Sequence, residues 1–266
     1  MSVLSYLKET SDNAILNDEE IESIKTSIDH LISKLGLYFG DDVKDYEQFG
    51  SSTRETILPR SMDPNSDIDL MIIFQDSSYK PQTYLTQLKE FMEESYPKSE
   101  LYQSRPSVVL ELNHIKFDLV PAVINKGSFS EALLIPNNSG GWQSTDTKRF
   151  NNELTEKNKD NKSLIKPAIR LVKYWNAVND YIFESYLLEK KIVKLDFFPF
   201  FYGCNHKDYN LRYYFFKIIE SLNSDGLSEL NKDKIKKAKN IVADIKHYEI
   251  IKDYDNAEAL IQKLIP

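Results

Sequence analysis

The sequence predicts a two-lobed protein of the α/β (α+β) class, with a mixed-sheet lobe over residues 1–140 and a helical lobe over residues 141–266. Three observations support this fold class. Helix-like and strand-like segments alternate in the first half of the chain. A loop rich in Asn, Ser and Gly then runs from Pro136 to Thr147. Beyond that loop, nearly every segment has the apolar spacing of a helix.

The first predicted helix covers residues 18–35. Asn17 is a typical N-cap residue, and the acidic residues Asp18–Glu20 follow in the first turn, where negative charge is favoured. Apolar residues then recur at helical spacing, and we expect Gly36 to end the helix. These apolar residues are Ile21, Ile24, Ile28, Leu31, Ile32 and Leu35.

The rest of the first lobe combines strands with one more helix. The segment Asp67–Phe74 is typical of a buried strand that begins with two acids, and Pro81–Tyr96 has helical spacing. Ser107–Leu112 and Ile115–Val120 predict two strands joined by a tight turn at Asn113-His114. In the second lobe the predicted helices cover residues 162–178, 183–193, 208–223, 232–248 and 256–264.

Composition and charge limit the possible classes of function. Hydrophobic residues make up 41% of the 266 residues and aromatic residues 12%, which predicts a packed globular protein. The net charge of −7 argues against a protein that coats long nucleic acid. It does not argue against nucleotide substrates, because metal ions can neutralise a triphosphate locally.

The sequence also predicts a cytoplasmic protein without direct membrane insertion. The single cysteine, Cys204, leaves no intramolecular disulfide, and four scattered His residues leave no zinc cluster. Residues 1–16 lack the pattern of a signal peptide. The most apolar stretch, Leu195–Gly203, is too short to span a bilayer and contains Pro199.

The acids at the start of the buried strand are the strongest indication of a catalytic site. Because strand side chains alternate between faces, Asp67 and Asp69 point the same way and repel each other unless a cation lies between them. A third acid, Asp118, interrupts the apolar segment 115–120, where an unpaired buried carboxylate would be costly. If the two strands are neighbours, the three carboxylates form a site for two Mg²⁺ ions, with Mn²⁺ as the alternative ion.

A glycine–serine segment, Phe49-Gly50-Ser51-Ser52, precedes these acids. Glycine lets the backbone approach a phosphate closely, and a helix expected from Ser51 onward would direct N–H groups at an anion. Each pattern has an ordinary structural alternative, since an Asp-x-Asp pair is often a turn or cap and a lone Gly-Ser has little meaning. Their occurrence in this order, with an acid in a later apolar strand, favours a nucleotide-binding catalytic site.

Three motifs carry a resemblance to a known family: Gly50-Ser51-x-x-Arg54-x-Thr56-x-Leu58-Pro59, Ser66-Asp67-Ile68-Asp69-Leu70 and Phe117-Asp118-Leu119-Val120-Pro121-Ala122. Together they resemble the polymerase-beta-type nucleotidyltransferase superfamily. Within it, the chain is most similar to the bacterial relatives of oligoadenylate synthase and cyclic GMP-AMP synthase, over about residues 45–190. One departure is Glu55, where many members have Gly after Arg.

Two helical motifs extend the resemblance. The segment Ile169–Asn176 resembles the family helix whose lysine reaches the triphosphate, here Lys173. Glu184–Glu189 resembles the element whose serine touches phosphate and whose tyrosine stacks on the base, here Ser185 and Tyr186. From the residues alone, Lys173 could equally be an exposed helix lysine and Tyr186 a core aromatic residue.

The resemblance implies a polymerase-beta-like fold with an active site in the cleft between the lobes. A nucleoside triphosphate would bind through Mg²⁺, Gly50, Ser51, Lys173 and Ser185. A hydroxyl acceptor would attack the α-phosphate and release pyrophosphate. Asp118 would be the general base or the ligand that activates the nucleophile.

The resemblance also implies a role in antiviral defence, because such bacterial relatives act against phages. Some members make cyclic di- or trinucleotide signals, whereas members of the Hailong type make short linear DNA oligomers without a template. The length of 266 residues and the stretch Gln103–Ala122 favour the second group. We therefore expect a short linear oligonucleotide, made from ribo- or deoxyribonucleoside triphosphates and read by an effector protein. A cyclic nucleotide is the alternative product.

Two other classes of function stay open, as does the identity of the acceptor. The chain could be a toxin–antitoxin-type nucleotidyltransferase that modifies tRNA or a partner protein, or a catalytically silent binding module, which the intact acid triad disfavours.

A template-free polymerase also needs a first hydroxyl, from a nucleotide or from the protein itself. Tyr248 and Tyr254 lie in a polar stretch, residues 246–255, that we expect to be mobile. Tyr254 is the preferred acceptor because Asp253 and Asp255 make its burial costly; packing against the helical lobe is the alternative for both tyrosines.

Overall fold

The computed structural model describes residues 2–104, 106–126, 131–197 and 209–266, so Cys204 and Pro199 lie outside the described residues. The helices are α1 (Val3–Asn13), α2 (Asp18–Phe39), α3 (Gly50–Thr53), α4 (Pro81–Ser95), α5 (Thr147–Asp160), α6 (Ile165–Val178), α7 (Ser185–Lys194), α8 (Leu211–Ser221), α9 (Glu229–Ile250) and α10 (Tyr254–Leu264). The strands are β1 (Val43–Phe49), β2 (Asp67–Phe74), β3 (Glu100–Ser104), β4 (Ser107–Glu111), β5 (Lys116–Lys126), β6 (Glu131–Pro136) and β7 (Trp142–Thr145).

The chain divides into two compact units. The sheet unit comprises Leu16–Arg60 and Pro64–Asn152, and the helical unit comprises Met1–Ile15, Ser61–Asp63 and Glu153–Pro266.

These two units differ in their bounds from the predicted lobes, which cover residues 1–140 and 141–266. The segment 141–152 lies in the sheet unit because β7 pairs with β6. The first residues of the chain lie in the helical unit because Val3 and Leu7 of α1 are buried in the helical core.

The described strands form one seven-stranded mixed sheet. Its main order is β1-β2-β5-β4-β3, and β6 pairs with both β5 and β7. Strands β2 and β5 are parallel to each other, whereas the other paired strands are antiparallel. The predicted turn at Asn113-His114 is the connection from β4 to β5. The α/β class predicted from the sequence is confirmed.

Several strands escape prediction from the sequence. Strands β1 and β3 bury few side chains, so they lack the apolar runs by which strands are recognised. Strand β7 lies inside the loop predicted over residues 136–147. Strand β5 continues past its predicted end at Val120 to Lys126, and Val123–Lys126 pair with β6. Pairing with a strand distant in sequence therefore extends β5.

The two faces of β2 have different surroundings. One face packs against α2 and α4 in a core that includes Ile68, Leu70, Ile72, Phe117, Leu119, Leu31, Leu35, Leu88 and Phe91. Met71 and Ile73 belong to a separate cluster with Ala122. Because strand side chains alternate, Asp67 and Asp69 share the face of Met71 and Ile73, away from α2 and α4.

Helix α2 is longer than the sequence predicts. Asn17 caps its N-terminus with a capping box, as the sequence indicates. The predicted end at Gly36 is wrong, because the helix passes through Gly36 and ends at Phe39. Leu35 and Phe39 are both buried one turn apart, which favours continuation. Gly40, with a φ of 51°, then ends the helix.

The helical unit is built around the buried faces of α1 and α6 to α10. The predicted helices of the second lobe correspond to α6–α10, with ends shifted by a few residues. Helices α1 and α5 are additions, and α1 escapes prediction because its sequence is largely polar. None of the described helices is both long enough and apolar enough to cross a lipid bilayer.

Candidate active site

Asp69 and Asp118 are direct neighbours on the parallel strands β2 and β5. The strand register pairs Asp69 with Asp118 and Asp67 with Lys116. Side chains at paired positions project from the same face of a sheet, so the three acids share one face. The condition set by the sequence for a three-acid site, that the two strands are adjacent, is therefore met.

The carboxylate of Asp118 is only partly satisfied by hydrogen bonds. Ser107 Oγ donates to Asp118 Oδ2 at 3.0 Å. The other oxygen, Oδ1, is buried and accepts no hydrogen bond from any described residue. Burial and the charge of Asp67 raise the pKa of Asp118 to about 6, against the opposing effects of Lys116 and the Ser107 hydrogen bond. The fold therefore holds a carboxylate in surroundings that favour a bound cation or proton.

The three carboxylates nevertheless do not converge on one point. Among the described residues, no group of three or more His, Cys, Asp or Glu side chains is close enough to hold one ion. Asp67 Oδ2 lies 3.4 Å from Lys116 Nζ, and Asp118 accepts a hydrogen bond from Ser107. A metal site formed by the three acids stays a prediction. The donor set still fits Mg²⁺ or Mn²⁺, because the ligands are hard oxygens and one of them is a buried acceptor without a donor.

Gly50 is the residue that lets the acid site form beside β1. Its φ of +78° lies in the left-handed region. A Cβ at this position would lie 1.7 Å from Asp69 Oδ2 and 2.6 Å from its Cγ. Because neither carboxylate atom can be that close to another carbon, only glycine leaves room for Asp69 in its present position.

The two serines after Gly50 are held differently. Ser52 Oγ donates to the Phe49 carbonyl at 3.2 Å and accepts from Gln48 Nε2 at 3.0 Å. The Ser51 carbonyl accepts from the backbone of the loop that follows. The helix expected from Ser51 onward is a single turn, α3, which begins at Gly50. The segment is therefore a tight turn directly beside Asp69.

The loop after α3 contains Glu55, the one departure from the family motif. Glu55 has a φ of 61°, in the left-handed region that most side chains avoid. A glycine adopts this conformation without steric strain, so the common family residue at this position is the one that the backbone favours. Arg54, just before it, is buried and lies over the Phe150 ring at 5.3 Å. The loop keeps the conformation that glycine would favour, although Glu55 replaces it.

Lys116 is a site residue that the sequence interpretation missed. Its Nζ lies 3.4 Å from Asp67 Oδ2, and 13% of its side chain is exposed. Burial lowers the pKa of Lys116, but the charges of Asp67 and Asp118 outweigh this effect and the pKa is raised. Lys116 precedes Asp118 by two residues in a strand, so the alternation of side chains could have placed it on the same face. The hydrogen bond from Ser107 could not have been found without the strand register.

Lys173 is buried rather than exposed. Its Nζ lies 3.6 Å from Glu189 Oε1, with 5% of the Lys173 side chain and 0% of the Glu189 side chain exposed. The alternative of an exposed helix lysine is therefore wrong. The pair joins α6 to α7 within the helical unit, because Lys173 lies on α6 and Glu189 on α7.

Ser185 and Tyr186 lie at the beginning of α7. Ser185 is its first residue and is half-buried. Tyr186 is 41% exposed, and Lys190 Nζ lies 5.2 Å from the centre of its ring. The alternative of a core aromatic residue is therefore wrong for Tyr186, whose ring is accessible.

The two candidate acceptor tyrosines do not lie in an irregular stretch. Tyr248 is in the last turns of α9 and packs, partly buried, against the helical core. Tyr254 is the first residue of α10 and is 56% exposed. The segment that we expected to be mobile contains the end of α9, a short turn and the start of α10. Asp253 caps the N-terminus of α10 and accepts a hydrogen bond from Asn256 N. Packing thus accounts for Tyr248, whereas Tyr254 has an accessible side chain.

Comparison with known proteins gives one family and one curated relative. Residues 1–158 match the family described as "Second Messenger Oligonucleotide or Dinucleotide Synthetase domain". A protein of Bacillus cereus strain VD146, described as a probable cyclic nucleotide synthase, is 27% identical over 256 residues. That similarity covers 77% of this chain and 75% of the relative.

Solved structures share the fold at low sequence identity. CdnC of Escherichia coli MS115-1 with ATP has a TM-score of 0.69 and 14% identity, covering 100% of this chain and 98% of CdnC. The same CdnC in complex with HORMA-deltaN has a TM-score of 0.68 and 16% identity, covering 99% and 97%. The cyclic AMP-GMP synthase DncV of Vibrio cholerae has a TM-score of 0.57 and 13% identity, covering 75% and 63%.

The family match spans more than half of the 266 residues, and the acid-bearing strands lie within it. The TM-scores of 0.69 and 0.68 show that the chain shares its fold with CdnC. The chain therefore belongs to the Second Messenger Oligonucleotide or Dinucleotide Synthetase family, and it is a nucleotidyltransferase of the polymerase-beta-like superfamily.

Proposed function

We propose that this protein condenses nucleoside triphosphates, without a template, into a cyclic nucleotide second messenger in a reaction that depends on Mg²⁺. The observation that carries the proposal is the pairing of Asp69 with Asp118 in adjacent parallel strands, together with the buried Asp118 oxygen that no described donor satisfies. The Bacillus cereus relative, described as a probable cyclic nucleotide synthase, supports a cyclic product.

Asp67, Asp69 and Asp118 would hold the metal ions, with Mn²⁺ as an alternative to Mg²⁺. When bound, such ions neutralise charge that develops on the phosphate and the leaving group. Lys116 Nζ lies 3.4 Å from Asp67 Oδ2, so a metal ion that binds this oxygen would displace the lysine.

Asp118 would be the general base that takes the proton of the attacking hydroxyl, or the metal ligand that activates this hydroxyl. The hydroxyl oxygen attacks the α-phosphorus of the triphosphate, a new P–O bond forms, and the bond to the bridging oxygen breaks. Pyrophosphate leaves with the electron pair of that bond. A second transfer within the linear intermediate would close the ring.

The remaining candidate residues would bind the nucleotide. Gly50 and Ser51 form the tight turn beside Asp69, where a backbone can approach a phosphate closely. Lys173 and Ser185 would contact phosphate oxygens through a charge and a hydroxyl. Tyr186 has an accessible ring that suits stacking on a base.

The linear product favoured from the sequence stays a prediction. The relatives described as cyclic nucleotide synthases do not support it, and deoxyribonucleotide use has no support among them either. The HORMA complex of CdnC supports a protein partner for this chain, and an effector that reads the product in antiviral defence is part of the proposal. Transfer to tRNA or to a partner protein is the competing outcome in the same experiment.

The test is product analysis by mass spectrometry. The protein is incubated with Mg²⁺ and a mixture of the eight common ribo- and deoxyribonucleoside triphosphates, with and without total tRNA. We expect pyrophosphate release and a cyclic di- or trinucleotide, whose mass is lower by one water than that of the linear monophosphate-ended oligomer. Asp69→Ala, which removes one proposed ligand, should lower the rate by roughly 10²-fold or more.

Near-normal product formation by a folded Asp69→Ala protein would contradict the metal site. Linear oligomers alone would contradict the cyclic product while leaving the nucleotidyltransferase activity intact. Label transferred only to tRNA would replace the proposed substrate class.

A further inference from the structure

Lys116 occupies a central place in the acid-bearing face of the sheet. Its partner in register is Asp67 on β2 on one side and Glu111 on β4 on the other. Side-chain alternation puts Lys116 on the same face as Asp118, two residues later in β5. Next to the row that contains Asp69 and Asp118, the sheet therefore has a row of acid, lysine and acid.

The lysine is paired with a proposed metal ligand, Asp67. Lys116 Nζ lies 3.4 Å from Asp67 Oδ2, and the Lys116 side chain is only 13% exposed. A lysine side chain carries a positive charge at neutral pH. A cation of the protein itself thus neutralises part of the site that two metal ions would neutralise.

A second acid is in place to receive the lysine if Asp67 is taken by a metal. Glu111 is the register partner of Lys116 on the opposite side from Asp67. Glu111 Oε2 lies 3.6 Å from Arg60 Nη2, and Arg60 is itself fixed by hydrogen bonds to the carbonyls of Pro64 and Leu112. Glu111 is therefore held in position, and a swing of the Lys116 side chain across β5 would bring its ammonium group to an acceptor.

We propose that Lys116 is an internal counter-cation that competes with the metal for Asp67 and moves towards Glu111 when the metal binds. This inference rests on the proposed role of Asp67 as a metal ligand. The competition weakens the binding of a bare divalent ion. A nucleotide lifts that limit, because its phosphates bring negative charge that draws the metal into the site.

The experiment measures binding of Mn²⁺ to the full chain by the loss of the free-ion signal in electron paramagnetic resonance. Titrations are run with and without a non-hydrolysable ATP analogue. Lys116→Met removes the charge and keeps most of the side-chain length. Lys116→Arg keeps the charge and serves as the matched control. Asp69→Asn marks the loss of the metal site itself.

Without nucleotide, we expect Lys116→Met to bind Mn²⁺ about ten-fold or more tightly than the wild type, because a positive charge close to the ion is removed. Lys116→Arg should stay within about three-fold of the wild type. With the ATP analogue present, the difference between Lys116→Met and the wild type should shrink. Circular dichroism confirms that the variants are folded.

A second variant, Glu111→Gln, tests the role of Glu111. Its effect in the wild-type background can be measured even if Lys116→Met does not fold. Glu111→Gln removes the alternative partner of Lys116, so it should weaken Mn²⁺ binding several-fold in the wild-type background. In the Lys116→Met background the same change should have a smaller effect, since there is no lysine to relocate.

The outcomes separate this inference from the proposed function. Equal Mn²⁺ affinity in the wild type and Lys116→Met, with binding lost in Asp69→Asn, overturns the counter-cation role and leaves the metal site standing. No Mn²⁺ binding by either protein, even with the ATP analogue, overturns the metal site on which the proposed function depends.

Discussion

At the scale of single residues, the fold places Asp118 in surroundings that an isolated strand would not provide. One of its oxygens is buried without a described donor, and Asp67 adds a like charge nearby. Gly50 has a similarly strict requirement, because a side chain there would collide with Asp69. The surroundings of both residues are set by acidic side chains on one face of the sheet rather than by the packing of the core.

The first prediction concerns the stability of the metal-free protein as a function of pH. Burial and the charge of Asp67 raise the pKa of Asp118 from 3.8 to about 6 in the folded state. Below pH 3.8 the carboxyl is protonated in both states and there is no cost. As the pH rises from 3.8 to about 6, the unfolded chain releases the proton more readily than the folded protein, so stability falls. Above pH 6 the cost is constant at about 2–3 kcal/mol.

Asp118→Asn should remove this cost because the amide does not ionise. In chelator-treated protein, the variant should be more stable than the wild type by about 2–3 kcal/mol at pH 7.5 and by nearly nothing at pH 4. Urea unfolding at the two pH values measures the difference. An equal difference at both pH values would mean that ionisation of Asp118 has no part in it. Added Mg²⁺ should stabilise the wild type and not the variant.

At the scale of secondary-structure elements, strand pairing determines where the acids meet. Strands β2 and β5 come from segments far apart in sequence, and their parallel register brings Asp69 beside Asp118. In the helical unit, the Lys173–Glu189 pair joins α6 to α7 in the same way. The Asp69–Asp118 and Lys173–Glu189 pairs each bring together charged side chains from two different secondary-structure elements.

The second prediction concerns the buried pair between α6 and α7. Because loss of one partner of a buried ion pair is strongly destabilising, Lys173→Ala should lower the free energy of unfolding by about 3–5 kcal/mol. The double variant Lys173→Met, Glu189→Gln should lose less stability than the two single variants together, as measured by a double-mutant cycle in urea.

The double variant also separates the structural role of Lys173 from its proposed role at the phosphates. If Lys173 contacts the triphosphate, the folded double variant should bind it more weakly by about 1.5–3 kcal/mol. Glu189→Gln alone keeps the ammonium group and is the control. Unchanged nucleotide affinity in the double variant would leave Lys173 with a structural role only.

In the whole molecule, the two largest hydrophobic cores of the described residues lie behind the mixed sheet and among the helices. The proposed metal ligands belong to the sheet unit, and the candidate phosphate and base contacts on α6 and α7 belong to the helical unit. Both groups of candidate residues are needed to test the proposal, so the product assay uses the full chain.

The third prediction concerns where the first hydroxyl comes from. A cyclic product requires hydroxyls from nucleotides only, so the protein should stay unmodified after incubation with triphosphates and Mg²⁺. Intact-protein mass spectrometry checks this. Whole-nucleotide mass additions would instead support self-priming and a linear product. Their loss in Tyr254→Phe, but not in Tyr248→Phe, would assign them to Tyr254, whose side chain is 56% exposed.

The fold class, the family motifs and the three acids could be predicted from the amino-acid sequence alone. These features are local: an Asp-x-Asp pair at a strand start, a Gly-Ser turn and an acid in an apolar strand are recognisable within a few residues. The helices with strong apolar periodicity are recognisable for the same reason. The ends of the helices are harder to recognise from the sequence. Gly36 is a residue that typically ends a helix, yet α2 continues through it.

The interaction partners of these residues could not be predicted from the sequence and are visible only in the tertiary structure. The register that places Lys116 beside Asp67, the hydrogen bond from Ser107 to Asp118 and the burial of Lys173 against Glu189 all join segments that the sequence separates. The edge strands β1 and β3 and the extension of β5 likewise depend on neighbours from elsewhere in the chain. The physical reason is that pairing and burial energies come from contacts between distant segments, whereas the local pattern records only which face of an element is apolar.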